Sequence, residues 1–143
     1  MSLRLEMLQV GRVAPKVLGE SADLVRNFLL SQQNPDGGFR DRDGQSDLYY
    51  TVFGMDALAV FHAEPDMRTA EQFLLKHEEG EGLDLVHLSC LCRCWGTLGN
   101  AQMPKGLRKA LLTRLEAFRK ACGGWDNNSE REHGTAYGSF LAL

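Results

Sequence analysis

The sequence predicts an all-α fold of stacked helix pairs, and three observations carry that prediction. Phenylalanine recurs at Phe28, Phe73 and Phe118 in the blocks VRNFLLSQQ, AEQFLLKHE and RLEAFRKAC, spaced evenly by 45 residues (73 − 28 and 118 − 73). A glycine-bearing turn follows each block: Pro35-Asp36-Gly37-Gly38-Phe39, Glu79-Gly80-Glu81-Gly82-Leu83 and Cys122-Gly123-Gly124-Trp125. Each turn leads to a second apolar block, DLYYTVFGMDALAVF from Asp47, DLVHLSCLCRCWGTL from Asp84 and HGTAYGSFLAL from His133. Helix, glycine turn, helix, about three times over, describes a repeat array in which each unit buries its apolar face on its neighbours.

Taken in order, the first helix of the first unit has Ser21 ahead of Ala22, Leu24, Val25, Phe28 and Leu29, apolar residues at helical spacing, so the Ser21 hydroxyl is placed to cap it. In the turn, Gln33 can offer its amide to helix-end groups without partners, Gly37 and Gly38 can take positive φ, and Phe39 can cover the outer layer. Asp47 and Asp84 each stand just before a second helix, where a carboxylate accepts from first-turn amides and meets the positive end of the helix dipole. Pro65-Asp66 and Pro104 suit helix starts, and Gly99 suits a helix end.

The second helices are apolar nearly all round, with Leu48, Val52, Phe53, Met55, Ala57, Leu58, Val60 and Phe61 in the first of them, as expected of helices buried on most sides. The first helices are more amphipathic, with Arg26, Gln32, Arg68, Lys76, Arg108 and Arg114 available for water. Two layers follow from the contrast: buried inner helices and solvent-facing outer ones.

Bulk properties limit the function classes. The 143 residues are 43% hydrophobic and 24% charged, which suits one soluble domain spanning 1–143 with a core large enough to fold without a metal or disulfide. A net charge of −3 gives no basic footprint for nucleic-acid phosphates, so no nucleic-acid partner is expected. Charged residues interrupt the apolar residues before Gly19, and no run approaches the roughly 18 apolar residues of a membrane span, so the chain reads as not transmembrane. Four cysteines without a secretory signal read as reduced thiols and point to the cytoplasm.

Phe28-Leu29, Gln33, Gly37 and Phe39 together resemble the FLxxxQxxxGxW repeat of squalene and hopene cyclases, with Phe in place of the final Trp. The block DLYYTVFGMDALAVF is similar to the last repeats of protein prenyltransferase β subunits, which run DxYHTxFGLAGLSLL. The resemblance covers Ser21 to the C-terminus and implies an α/α toroid, a barrel of inner and outer helices around an apolar cavity that holds an isoprenoid chain. It implies an isoprenoid or isoprenoid diphosphate as ligand, in a prenyltransferase- or terpene-cyclase-like protein. Tyr49, Tyr50, Phe53, His87 and Tyr137 are the candidate substrate-binding residues, and Arg40, Arg42, Lys105 and Arg108 the basic candidates for a diphosphate.

The family motifs that carry chemistry are partly filled. The zinc-binding DxC pattern has Tyr49 and Val86 where its cysteine belongs, and the His of DxYHT is Tyr50 in the first unit and His87 in the second. Two ligands, Asp47 and His87, hold zinc poorly, so no cofactor is expected, with zinc the open alternative. Cys90 and Cys94 share a helix face while Cys92 points elsewhere, which suits packing more than ligation; a metal protein using His87 and Cys90 is the third reading. The cyclase DxDD acid is absent, and Asp41, Asp43 and Asp47 sit in the loop before an inner helix, where capping is the expected role. The missing motifs leave a second reading, a non-catalytic helical repeat module for protein–protein interaction. A toroid of this type has five to seven helix pairs, so three pairs lead to the expectation that the domain is incomplete at its C-terminus and that copies self-associate through the open repeat ends.

Overall fold

The computed structural model describes residues 3–99 and 103–143, and it is mostly helical. The helices are α1 (Leu3–Gly11), α2 (Ala14–Leu18), α3 (Ser21–Ser31), α4 (Leu48–Val60), α5 (Met67–Leu75), α6 (Leu85–Leu98), α7 (Leu107–Glu116) and α8 (Ala136–Ala142). Between α3 and α4 a two-stranded antiparallel ribbon forms, β1 (Phe39–Arg40) with β2 (Ser46–Asp47), in the register Phe39 to Asp47 and Arg40 to Ser46. The glycine turn of the first unit is thus a small β-ribbon. The chain divides into two compact units, Met1–Phe73 and Leu74–Leu143.

In the first unit α4 is the central element, with α1, α3 and the ribbon packed on it. Asp47 starts it as expected: its backbone is extended and its carboxylate accepts from the amides of Tyr49 at 2.8 Å and Tyr50 at 3.1 Å. Leu48, Val52, Met55 and Leu58 are buried, and truncating one such leucine to alanine costs about 2–5 kcal/mol. Burial is not all round, however, because Tyr50 and Phe53 on the same helix stay 37% and 40% exposed. The N-terminal segment, left unassigned by periodicity, contributes α1 to this unit; a Cβ on Gly11 would stand 2.9 Å from the Val60 side chain, so its glycine allows a close approach to α4.

In the second unit α6 is central, with α7 and α8 packed on it. Asp84 caps α6, accepting from the His87 amide at 2.8 Å, and Gly99 ends it with φ +94, both as the sequence indicates. Leu85, Leu88, Cys90, Leu91, Cys94, Trp95 and Leu98 form its buried side, so Cys90 and Cys94 pack in a core while Cys92 is half-buried.

Some expected details change. Ser21 is the first residue of α3, the cap position is Glu20, and no side chain caps that helix. Pro104 lies ahead of α7, which begins at Leu107 after Gly106 in a left-handed conformation. The three phenylalanines are not equivalent in space: Phe28 is 61% exposed on α3, Phe73 is 4% exposed on α5, and Phe118 lies beyond the end of α7.

The equivalence that does hold lies in the turns. Gln33 bridges to Phe39, and Arg119 bridges to Trp125, a shift of 86 (119 − 33 and 125 − 39). The amide of Asn34 donates to the Gly38 carbonyl and that of Gly37 to the Asn34 carbonyl, and Lys120 with Gly124 and Gly123 with Lys120 repeat the pattern, each within 2.8–2.9 Å. The middle turn, Glu79 to Leu83, has no such ribbon; Gly80 and Gly82 take positive φ and lead directly to Asp84.

Candidate functional site

The aromatic residues of α4 gather in one groove within the first unit. Tyr49, Tyr50 and Phe53 line it with Phe28 and Leu29 of α3, Phe39 of the ribbon, and Arg40 and Arg42, around a volume of about 510 Å³. The rings of Tyr49 and Phe53 meet edge to face, with centroids 4.9 Å apart at 64°, and Tyr49 meets Tyr50 at 6.0 Å and 71°. Such contacts fix ring positions beyond simple area burial.

The joint below the groove sets that geometry. Gln33 donates through Nε2 to the carbonyls of Gly37 (3.1 Å) and Asp66 (3.3 Å) and accepts the Asp66 amide through Oε1 (2.8 Å). Its expected role at helix-end groups is therefore filled at the start of α5, where the Asp66 carboxylate also accepts from the amides of Arg68 and Thr69. Gly37 has φ +97 as anticipated, and a Cβ there would run into the Thr69 carbonyl. Gly38 is needed for space: a Cβ would lie 2.5 Å from Ser46 and 2.9 Å from the Phe73 ring. Phe39 turns inward and is buried against Gly54 of α4. Asp41 accepts the amides of Asp43 and Gln45, both at 2.9 Å, which fixes the loop carrying Arg40 and Arg42.

The candidates are thus partly brought together. Tyr49, Tyr50 and Phe53 share the groove with two of the four basic candidates, Arg40 and Arg42. His87 and Tyr137 belong to the second unit, on α6 and α8. The His87 ring nitrogen Nδ1 lies 2.8 Å from the Asp84 carboxylate. Burial alone would raise the Asp84 pKa, but the amide and ring of His87 and the Val86 amide outweigh it and hold the carboxyl below its ordinary value. Tyr137 is half-exposed, and Arg108 lies with Lys109 and Leu112 along an open cleft on α7. Among the described residues, no three His, Cys, Asp or Glu side chains are grouped so that they could hold a metal ion, and no helix is long and apolar enough to cross a membrane.

Sequence reasoning missed a second cavity of about 780 Å³ in the second unit, formed around the Ala117–Cys122 turn and the Asp126–His133 loop. Cys122 is exposed there, its sulfur accepting from the Gly134 amide at 3.2 Å. With the Gly134 and Gly124 amides and the His133 side chain all bonding to it, the thiol is brought down to about 7. The signal was present: aligning NPDGGF with KACGGW sets Cys122 where Asp36 stands, and the Asp36 carboxylate accepts the Gly38 amide at 3.1 Å as Cys122 accepts that of Gly124.

No protein-family model, curated protein or solved structure matches the chain.

Proposed function

We propose that the chain is a prenyltransferase- or terpene-cyclase-like protein of the α/α-toroid type that binds an isoprenoid chain through the inner helix α4. The observation that carries the reading is the groove of about 510 Å³ in which Phe28, Leu29, Tyr49, Tyr50 and Phe53 converge beside Arg40 and Arg42. Apolar and ring surfaces suit a branched hydrocarbon, and two guanidiniums at the same groove suit a diphosphate, which planar bidentate donors grip well. The turn motif that supports the toroid reading lies between α3 and α4, with its Phe39 packed on Gly54 of α4. Thermal denaturation with geranylgeranyl diphosphate, compared with inorganic diphosphate, tests the reading. At a hundredfold excess over Kd a true ligand stabilises by about 2.7 kcal/mol, and a melting curve unmoved by the isoprenoid counts against it.

A second reading, a non-catalytic helical module that binds another protein, is favoured by Val17, Leu24 and Phe28, large apolar side chains left mostly exposed on α2 and α3. Light scattering over a concentration series separates self-association from a monomer that needs a different partner.

A further inference from the structure

Resting on the reading of Val17, Leu24 and Phe28 as a protein-binding surface, we propose that the exposed apolar face of α1 to α3 pairs with the same face of a second copy of the chain, in a two-fold symmetric dimer with α3 antiparallel to α3. Helix α3 carries Leu24, Val25, Phe28 and Leu29 at helical spacing, yet not one of its side chains is buried, and none of α2 is. In the second unit the outer helix α7 buries Leu107, Leu111 and Leu115. A short amphipathic helix owes its stability mainly to covering its apolar stripe, so the open stripe on α3 is a surface that lacks its partner.

The size of the surface fits a stable pair. Among the described residues, nine of the fifteen large apolar side chains left exposed lie between Leu5 and Leu30, with Val10, Val17 and Leu24 at 71%, 80% and 73%. At about 100 Å² for each such side chain the nine expose on the order of 900 Å², above the roughly 300–600 Å² of the largest patch on a typical monomer and close to the about 800 Å² that each partner brings to a standard stable interface. Leu24 and Phe28 stand one helical turn apart on α3, and Phe28 lies beside Tyr50 and Phe53 of α4, so the surface runs on from α3 to α4.

Charge points to the chain itself as the partner. From Leu5 to Ser31 the charged side chains are Glu6, Arg12, Lys16, Glu20, Asp23 and Arg26, three of each sign, and Asp23 pairs with Arg26 at 3.1 Å on α3. A surface of one sign repels its own copy, whereas a neutral mixture meets itself without that penalty. An anionic lipid surface or a nucleic acid would call for an excess of Lys and Arg, which this segment lacks. Antiparallel pairing about a two-fold axis sets Leu24 of each copy against Phe28 of the other, giving two identical contacts.

Equilibrium ultracentrifugation of the full chain over a concentration series tests the dimer. A reversible equilibrium between monomer and dimer is expected. Leu24→Glu and Phe28→Lys should each weaken it at least roughly tenfold while leaving the helical circular dichroism unchanged, because both side chains are mostly exposed. An equimolar mixture of the two variants should recover the dimer, since one contact then sets glutamate against lysine and the other keeps leucine against phenylalanine. A wild-type chain that stays monomeric, a dimer indifferent to both substitutions, or a mixture that stays monomeric would each overturn the proposal. A monomeric wild-type chain that captures a different protein, and loses it in Leu24→Glu, would overturn the second copy as partner while leaving a protein-binding surface in place. Sedimentation with phosphatidylglycerol vesicles, lost in the same variant, would overturn both.

Discussion

The Thr51 hydroxyl accepts the Phe39 amide at 2.9 Å while donating to the Asp47 carbonyl at 2.6 Å, and so locks the aromatic residue of the turn to the first turn of α4. Ser139 repeats the arrangement in the second unit, accepting the Trp125 amide at 3.2 Å and donating to the Thr135 carbonyl at 2.8 Å, with Thr135 capping α8 as Asp47 caps α4. The same three-part joint is thus built twice: a capping residue, a hydroxyl four positions later, and an aromatic residue whose amide the hydroxyl receives.

Thr51→Val should test that joint. It keeps shape but leaves the buried Phe39 amide without its acceptor, a loss of about 1–3 kcal/mol, whereas Thr51→Ser should cost much less. Urea unfolding followed by far-UV circular dichroism measures the difference. A valine variant as stable as the wild type would remove the hydroxyl from the account.

Gly54→Ala addresses the contact between the turn and α4. A Cβ at that position would stand only 2.2 Å from the buried Phe39 ring, so the ring would have to shift to admit it. Overpacking of this kind costs about 1–3 kcal/mol, even though alanine is the better helix former. Phe39→Leu in the same chain should recover part of the loss, and thermal melts of the single and double variants would show whether it does.

Asp84 supplies a pH-dependent prediction in the second unit. Its folded pKa lies below the ordinary 3.8, so its contribution is fully present above that value and is lost as pH falls through the lower folded value. Asp84→Ala should therefore destabilise by about 1 kcal/mol near neutral pH, as loss of a helix cap does, and by less at strongly acidic pH. Trp95 and Trp125 are the only tryptophans and both lie in this unit, so their fluorescence during urea unfolding reports it directly. A difference between variant and wild type that stays constant across the acid range would contradict the assignment.

Helices and caps were legible because they are local: Asp47, Asp84, Asp66 and Gly99 act within a turn of their own position. The Phe28, Phe73 and Phe118 spacing misled because even spacing along the chain does not fix the same station in space; one is exposed on a helix, one is buried, and one is beyond a helix end. The hydroxyls of Thr51 and Ser139 were not legible because their partners lie 12 and 14 residues away, across two-residue strands in the first unit and single β-bridges in the second, too short to give alternation. The middle unit has Leu88 at the corresponding position four residues after Asp84, and it forms no ribbon. Of the candidate site, Tyr49, Tyr50 and Phe53 could be found from their clustering on one helix, whereas Phe28 and Leu29 join them only through the packing of α3 on α4.

Calorimetric titration of the chain with farnesyl diphosphate, run beside Phe53→Ser, tests the central claim most directly. Phe53 is 40% exposed, so its replacement should leave the fold intact while removing one wall of the groove. The groove reading predicts saturable binding that weakens at least roughly tenfold in the variant, the equivalent of about 1.4 kcal/mol. Absence of binding by the wild-type chain, or equal affinity in Phe53→Ser, would contradict it.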